Sequence, residues 1–391
     1  MGDYPVSELN NQTVLEYART PNMDFVAQHG LLGLVQTIPE SFPPGSDVAN
    51  LSVLGYDPRR YYTGRAPLEA ANIGVNLASS DVAFRCNLVT ITQGKMEDFS
   101  AGHISTEEAR PIIDELNVRL GSEEFQFFTG TSYRHLLVWK NGHEQIHCTP
   151  PHDISGQLVD NYLPQGEGSD CLMKLMNLSQ EILKDHPVNR KRVAEGKKAA
   201  NSAWFWGQGR APQIPSFQSK FGKRGAIISA VDLLKGIGRY LKFEVLNVPG
   251  ATGYLDTNYA GKAEYALSAL QEKDIVYVHV EAPDEAGHNG DLKAKIQAIE
   301  DFDQLIVGPI LDRITQFSSF RIMILPDHFT PLSIRTHTSD PVPFAIFPAN
   351  EQKGTDKINK RRKRFTENDA RGEIIILEGH QLMEFFLQRR K

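Results

Sequence analysis

The sequence predicts an α/β fold with a largely parallel sheet, interrupted by a second, smaller α/β domain. Three observations support this. First, Ile275-Val276-Tyr277-Val278-His279-Val280 and Arg321-Ile322-Met323-Ile324-Leu325 are short, β-branched-rich runs bounded by polar turns, which reads as strand. Second, helix-like periodicity flanks them. From Lys293 to Leu311, residues Ile296, Ile299, Phe302, Leu305 and Ile306 recur at three- and four-residue spacings, and strands alternating with helices imply parallel pairing. A third such unit runs from the strand Gly225-Ala226-Ile227-Ile228 into the helix opening at Val231-Asp232-Leu233-Leu234. Third, the pattern changes between Tyr61 and Ser216. There short β-like runs (Phe84 to Thr92, Glu124 to Thr129, Arg134 to Lys140) are separated by connectors such as Cys148-Thr149-Pro150-Pro151-His152-Asp153. The expected division is residues 1–58 with 217–391 as one discontinuous domain and 59–216 as the insert.

The 391 residues carry 42 Lys+Arg against 48 Asp+Glu, a net charge of −6, with 40% apolar and 23% charged residues. This is ordinary globular composition, and its mild acidity argues against nucleic acid or a membrane surface as the main partner. No apolar stretch reaches the roughly 18 residues of a membrane span. Met1-Gly2-Asp3-Tyr4-Pro5 has neither the basic nor the apolar region of a secretory leader. Cys86, Cys148 and Cys171 fall in no zinc or CxxC spacing and are expected to be reduced, buried thiols of a cytoplasmic protein. Lys360-Arg361-Arg362-Lys363-Arg364 is expected to be a solvated loop.

The chemistry is concentrated where strands end. Asp284 and His288 follow the Ile275–Val280 run, and Asp327 and His328 follow the Arg321–Leu325 run, with His337 nearby. Ligands of open α/β sheets bind at the carboxyl ends of strands. A carboxylate and an imidazole four residues apart can reach one metal ion from one helical face, and such mixed ligands suit manganese or zinc better than calcium. The alternative is a set of surface acids and satisfied histidines. Ser46, in Pro43-Pro44-Gly45-Ser46-Asp47-Val48, is the candidate nucleophile, placed to open a helix whose free N–H groups favour a phosphate or oxyanion. Its alternative is an ordinary serine N-cap.

With these motifs assembled, the chain resembles the archaeal-type 2,3-bisphosphoglycerate-independent phosphoglycerate mutases of the alkaline phosphatase superfamily. The resemblance runs through Thr20-Pro21-Asn22-Met23-Asp24, Pro44-Gly45-Ser46-Asp47-Val48-Ala49-Asn50-Leu51-Ser52, Tyr61-Tyr62-Thr63-Gly64-Arg65 and Phe84-Arg85-Cys86-Asn87-Leu88. It continues in Trp206-Gly207-Gln208-Gly209-Arg210, Ile228-Ser229-Ala230-Val231-Asp232-Leu233, Pro249-Gly250-Ala251-Thr252-Gly253-Tyr254 and the Asp284/His288 block. It implies an alkaline-phosphatase-like domain with a substrate-binding insert, and two divalent ions, manganese first among manganese, zinc, cobalt and magnesium. Asp284, His288 and His337 match the ligands of one ion; Asp327, His328 and Ser46 match those of the other. Ser46 would take the phosphoryl group from 3-phosphoglycerate and return it to the 2-hydroxyl, within a closed interdomain cleft that excludes water. Arg210 matches the region that clamps a phosphate or carboxylate; Arg85, Asp153 and Lys223 are weaker matches, for which a salt bridge or structural hydrogen bond is the alternative.

Family members begin with a strand ending in Asp-Gly, whose Asp ligates the second metal. Met1-Gly2-Asp3-Tyr4-Pro5 matches the residues just after that Asp, so the resemblance implies that strand and ligand are missing here, by truncation or in an impaired copy. Asp3 matches a different position and is not taken as a ligand. Two further activities stay open at this level, a homoserine kinase using the same serine and metals and a simple phosphatase. The usual kinase phosphate cradle, GxxxxGK[ST], does not occur.

Overall fold

The computed structural model of the chain describes residues 1–348 and 363–387. It divides into two compact units, one of Met1–Tyr62 with Ile214–Lys391 and one of Thr63–Gln213. The strands, in chain order, are β1 (Leu31–Val35), β2 (Val82–Thr92), β3 (Lys95–Asp98), β4 (Phe125–Thr131), β5 (Arg134–Trp139), β6 (Ser202–Gly209), β7 (Gly225–Ile228), β8 (Glu244–Val245), β9 (Ile275–Val278), β10 (Arg321–Ile324), β11 (Val342–Pro348) and β12 (Ile374–Ile376).

The first unit is largely parallel, with one strand, β11, running the other way. β8-β7-β9 form an all-parallel sheet, but the sheet β10-β11-β1-β12 carries β11 antiparallel to both its neighbours. The reason is connectivity: no crossover helix separates β10 from β11, so the chain returns through the His328–Asp340 segment and runs back alongside. Helices cover these sheets, and one apolar core joins Val14, Leu15, Met23, Val26, Leu32, Ile299 and Phe365. The periodicity from Lys293 to Leu311 predicts one helix. The structure has Leu292–Phe302, a wide turn of π type over Asp303–Val307, and then Gly308–Ile314. Pro309 lacks the N–H that an uninterrupted helix needs, and the wide turn absorbs the break. Asp303 in that turn accepts hydrogen bonds from the Met23 N–H at 2.7 Å and the Asn22 side chain at 2.9 Å.

The second unit is an antiparallel sheet in which β2 pairs with β3, β5 and β6, and β4 with β5. β2 is buried along nine consecutive residues, so its run reads as continuous rather than alternating. Its core gathers Phe84, Leu88, Ile112, Leu116, Trp204 and Phe205, each large side chain worth roughly 2–3 kcal/mol of burial.

Two expectations need correction. Cys86 is buried, Cys148 partly buried and Cys171 exposed, all three as free thiols; Cys171 lies in the first turn of the Ser169–Leu183 helix, whose apolar face is set by Leu172, Leu175 and Met176. Of the basic run, residues 360–362 lie outside the described residues. Lys363 and Arg364 are paired rather than merely solvated: Lys363 meets Glu373 at 2.8 Å, and Arg364 meets Asp24 at 3.0 Å while donating to the carbonyls of Glu16 and Ala18. Among the described residues no helix is long and apolar enough to cross a membrane.

Candidate active site

Ser46 is the first residue of the Ser46–Val53 helix; Gly45 is the N-cap and makes no side-chain cap bond, while the Asp47 carboxylate accepts the Val48 N–H at 3.1 Å. The N-cap alternative for Ser46 therefore does not hold. A Cβ at Gly45 would lie 2.6 Å from the Asp47 carboxylate, so a glycine keeps this entry turn tight. The serine hydroxyl is thus left free to meet a partner across the unit, and its Oγ lies 2.9 Å from His328 Nε2.

Asp284 and His288 sit one turn apart in the Ala282–Asn289 helix, which Pro283 starts in helical φ. Gly287 lets this helix approach the loop after β10, since a Cβ there would come within 2.5 Å of the Thr330 carbonyl. The result is a dense group of carboxylates and imidazoles. His288 Nε2 lies 3.4 Å from Asp284 Oδ2 and 2.9 Å from His337 Nε2, and His337 Nε2 lies 3.3 Å from Asp284 Oδ1. Asp327 Oδ2 lies 3.5 Å from His328 Nε2, and the His328 and His337 rings are 4.0 Å apart. Thr330 donates its hydroxyl to Asp284.

Tautomers follow from the acceptors. His288 Nδ1 is 3.0 Å from the Arg335 carbonyl and His328 Nδ1 is 3.2 Å from the Phe329 carbonyl. A carbonyl can only accept, so each Nδ1 carries the hydrogen. Each Nε2 therefore points into the site, the arrangement a metal-binding histidine uses. Burial opposes ionisation of Asp284, yet hydrogen bonds from His288 and His337 hold its carboxyl well below the usual range. Burial also opposes charge on His288, but the Asp284 carboxylate outweighs it and raises the imidazolium to about 9. Burial lowers His328. Asp327 is buried too, but His328 and His279 keep it ionised. A fixed negative centre that retains a proton at His288 is one where a divalent cation can displace that proton. The donor atoms of Asp284, His288 and His337 lie within 4.8 Å of one another, which fits one ion.

A sequence model of the family described as 2,3-bisphosphoglycerate-independent phosphoglycerate mutase matches residues 27–189. Proteins of that name from Methanosarcina acetivorans and Methanosarcina barkeri are 58% and 57% identical. The first covers 89% of this chain and 88% of its own length, the second 100% and 98%. The chain belongs to this family. Among solved structures, a protein of Pyrococcus horikoshii superposes with a TM-score of 0.82 at 31% identity, covering 100% of this chain and 96% of its own. The cofactor-independent phosphoglycerate mutase of Thermoplasma acidophilum gives 0.63 at 27%, covering 99% and 96%.

In this phosphoglycerate mutase, an isomerase by family, the first unit brings together Ser46, Asp284, His288, Asp327, His328 and His337 at the carboxyl ends of β9 and β10. The remaining sequence-stated candidates fall elsewhere. Lys223 precedes β7, at the opposite, amino end of its strand. In the second unit, Arg210 donates to the carbonyls of Ser80 and Gly142 and pairs with Glu144 at 2.9 Å. Arg85 is buried, 3.0 Å from Glu69 and stacked 4.3 Å over Trp206. Asp153 is exposed beside His152. Asp3, set aside as a ligand, is buried against Lys295 at 2.7 Å. Sequence reasoning missed Asn50, Tyr277, His279 and Thr330. Asn50 had a usable signal, since it lies four residues after Ser46 on the same helical face.

Proposed function

We propose that the chain interconverts 3-phosphoglycerate and 2-phosphoglycerate through a phosphoserine on Ser46, and that two divalent cations assist. The observation that carries this reading is the Ser46 hydroxyl, 2.9 Å from His328 Nε2 at a helix N-terminus, beside two ionised carboxylates. One donor set is Asp284, His288 and His337; the other is Asp327, His328 and Ser46. Manganese is preferred over zinc, cobalt or magnesium. Such ions, when bound, neutralise charge on the phosphoryl group and make the serine hydroxyl easier to ionise.

The chain's own residues do the rest. Ser46 Oγ forms a bond to phosphorus as the bond to the 3-oxygen of glycerate breaks, and that oxygen takes up the proton the serine gives up. The glycerate 2-hydroxyl then attacks the phosphoserine, the Ser46 Oγ–P bond breaks, and Ser46 regains a proton. The N–H groups opening the Ser46–Val53 helix favour the phosphoryl oxygens throughout. Asp284 and Asp327 stay ionised to hold positive charge there.

We assign the architecture to the alkaline phosphatase type, with Thr63–Gln213 as a substrate-binding insert and a cytoplasmic location. Anion recognition is assigned to Arg210, with Arg85 and Asp153 as secondary candidates, and Lys223, at the amino end of β7, is the weakest of the four. Relatives named as mutases support this activity over a homoserine kinase. In the test, Ser46→Ala loses interconversion and the wild-type chain, quenched with substrate, gains the mass of one phosphoryl group on the Ser46 peptide. Full activity in Ser46→Ala rejects the mechanism.

A further inference from the structure

We infer that Asn50 is a positioning residue that sets the nucleophile against Asp327, and that the Tyr277 hydroxyl fixes the orientation of its amide. This rests on the phosphoserine reading and adds to it residues outside the donor sets. Asn50 is fully buried. Its Nδ2 donates to the Ser46 carbonyl at 2.8 Å and to Asp327 Oδ2 at 2.8 Å, and so uses both of its hydrogens. Its Oδ1 accepts the Tyr277 hydroxyl at 2.5 Å. The Ser46 carbonyl and the ionised Asp327 carboxylate can only accept, so the atom facing them is the amide nitrogen, and the oxygen left on the other side is held by the Tyr277 hydroxyl donating to it.

The consequence is a three-way tie among elements distant in sequence. Ser46 and Asn50 come from one helix, Tyr277 from β9 and Asp327 from the segment after β10. The bond to the Ser46 carbonyl lies within the helix and fixes the side-chain rotamer. The bond to Asp327 then holds one carboxylate oxygen at a set distance from the nucleophile's own turn. The same carboxylate receives His279 Nε2 at 3.9 Å and faces His328 Nε2 at 3.5 Å. Reaction geometry is steep in such distances, a displacement of about 1 Å costing on the order of 100-fold in rate.

The test uses the full chain. Asn50→Asp keeps the shape and loses both donors; Asn50→Ala removes the side chain; Tyr277→Phe removes only the hydroxyl. With the melting temperature of each recorded, the expected result for Asn50→Asp and Asn50→Ala is kcat about 100-fold lower, with KM for phosphoglycerate within about threefold. Tyr277→Phe falls between them and wild type. Calorimetric titration with Mn²⁺ supplies a readout independent of turnover. One class of site weakens at least about tenfold, as loss of an outer-shell partner does, while the class assigned to Asp284, His288 and His337 is unchanged. Overturning results are kcat within threefold of wild type in both Asn50 variants, or an equal loss of both metal classes together with a lowered melting temperature. A wild-type chain that does not interconvert the phosphoglycerates would reject the activity instead, and the metal titration still decides the role of Asn50.

Discussion

His135 shows how far one buried side chain can bias the stability of a unit. It lies in β5 at 1% exposure; its Nδ1 accepts the Gly130 N–H at 3.1 Å, and its Nε2 has no hydrogen-bond partner among the described residues. Burial pushes the imidazole down from 6.5 to about 3. The unfolded chain therefore binds a proton that the folded chain refuses. The stabilising contribution is complete above about pH 6.5 and is lost as pH falls from there toward 3. The expected slope is about 1.4 kcal/mol per pH unit once below 6.5. Urea midpoints for the transition of the Thr63–Gln213 unit, measured in the full chain from pH 7 to 4.5, should fall accordingly, and His135→Gln should flatten the trend. A midpoint that is independent of pH in the parent chain would contradict this account. At the same scale, Asp284 and His288 were legible from a four-residue spacing, whereas the Nε2-inward tautomers were not. Those depend on the carbonyls of Arg335 and Phe329, which no local pattern announces.

At the scale of elements, capping carries the clearest energetics. The Thr106–Leu120 helix opens on a capping box, with Ser105 accepting from the Glu108 N–H at 3.2 Å and Glu108 reaching back to the Ser105 N–H at 3.2 Å. Ser105→Ala should cost about 1 kcal/mol of the second unit's stability, read as a lower denaturation midpoint with an unchanged slope. The helix continues through Pro111, and its apolar face of Ala109, Ile112, Ile113 and Leu116 docks on the sheet. The strand readings at β7, β9 and β10 survive to within a residue or two because their β-branched runs are short and sharply bounded. The direction of β11 was not readable, since antiparallel pairing is set by the return of the chain after β10 and not by strand composition. The helical reading from Lys293 to Leu311 holds, with a wide turn over Asp303–Val307 just before Pro309, since periodicity says nothing about a missing N–H.

At the scale of the whole chain, the two units offer an internal control. All donors proposed for metal lie in the first, with Asp284 held ionised among three imidazoles. Removing divalent ions with a chelator should abolish interconversion, and Mn²⁺ should restore it. Cations at about 100 times their dissociation constant should stabilise the first unit by about 2.7 kcal/mol, raising its calorimetric transition while that of Thr63–Gln213 stays put. Asp284→Asn should remove most of that gain. Equal shifts of both transitions would place the cation effect outside this site.

The sequence by itself indicated the α/β class and the residue types that the structure gathers around Ser46. It could do so because hydrophobic period, strand-end position and side-chain chemistry are all local properties. Only the tertiary structure decided that Ser46 opens its helix facing His328, that Asp284 stands among three imidazoles, and that Asn50 bridges the Ser46 carbonyl and Asp327 under Tyr277. Each of these includes a contact between residues dozens to hundreds of positions apart, and such contacts are set by packing and by backbone carbonyls that carry no sequence signature of their own.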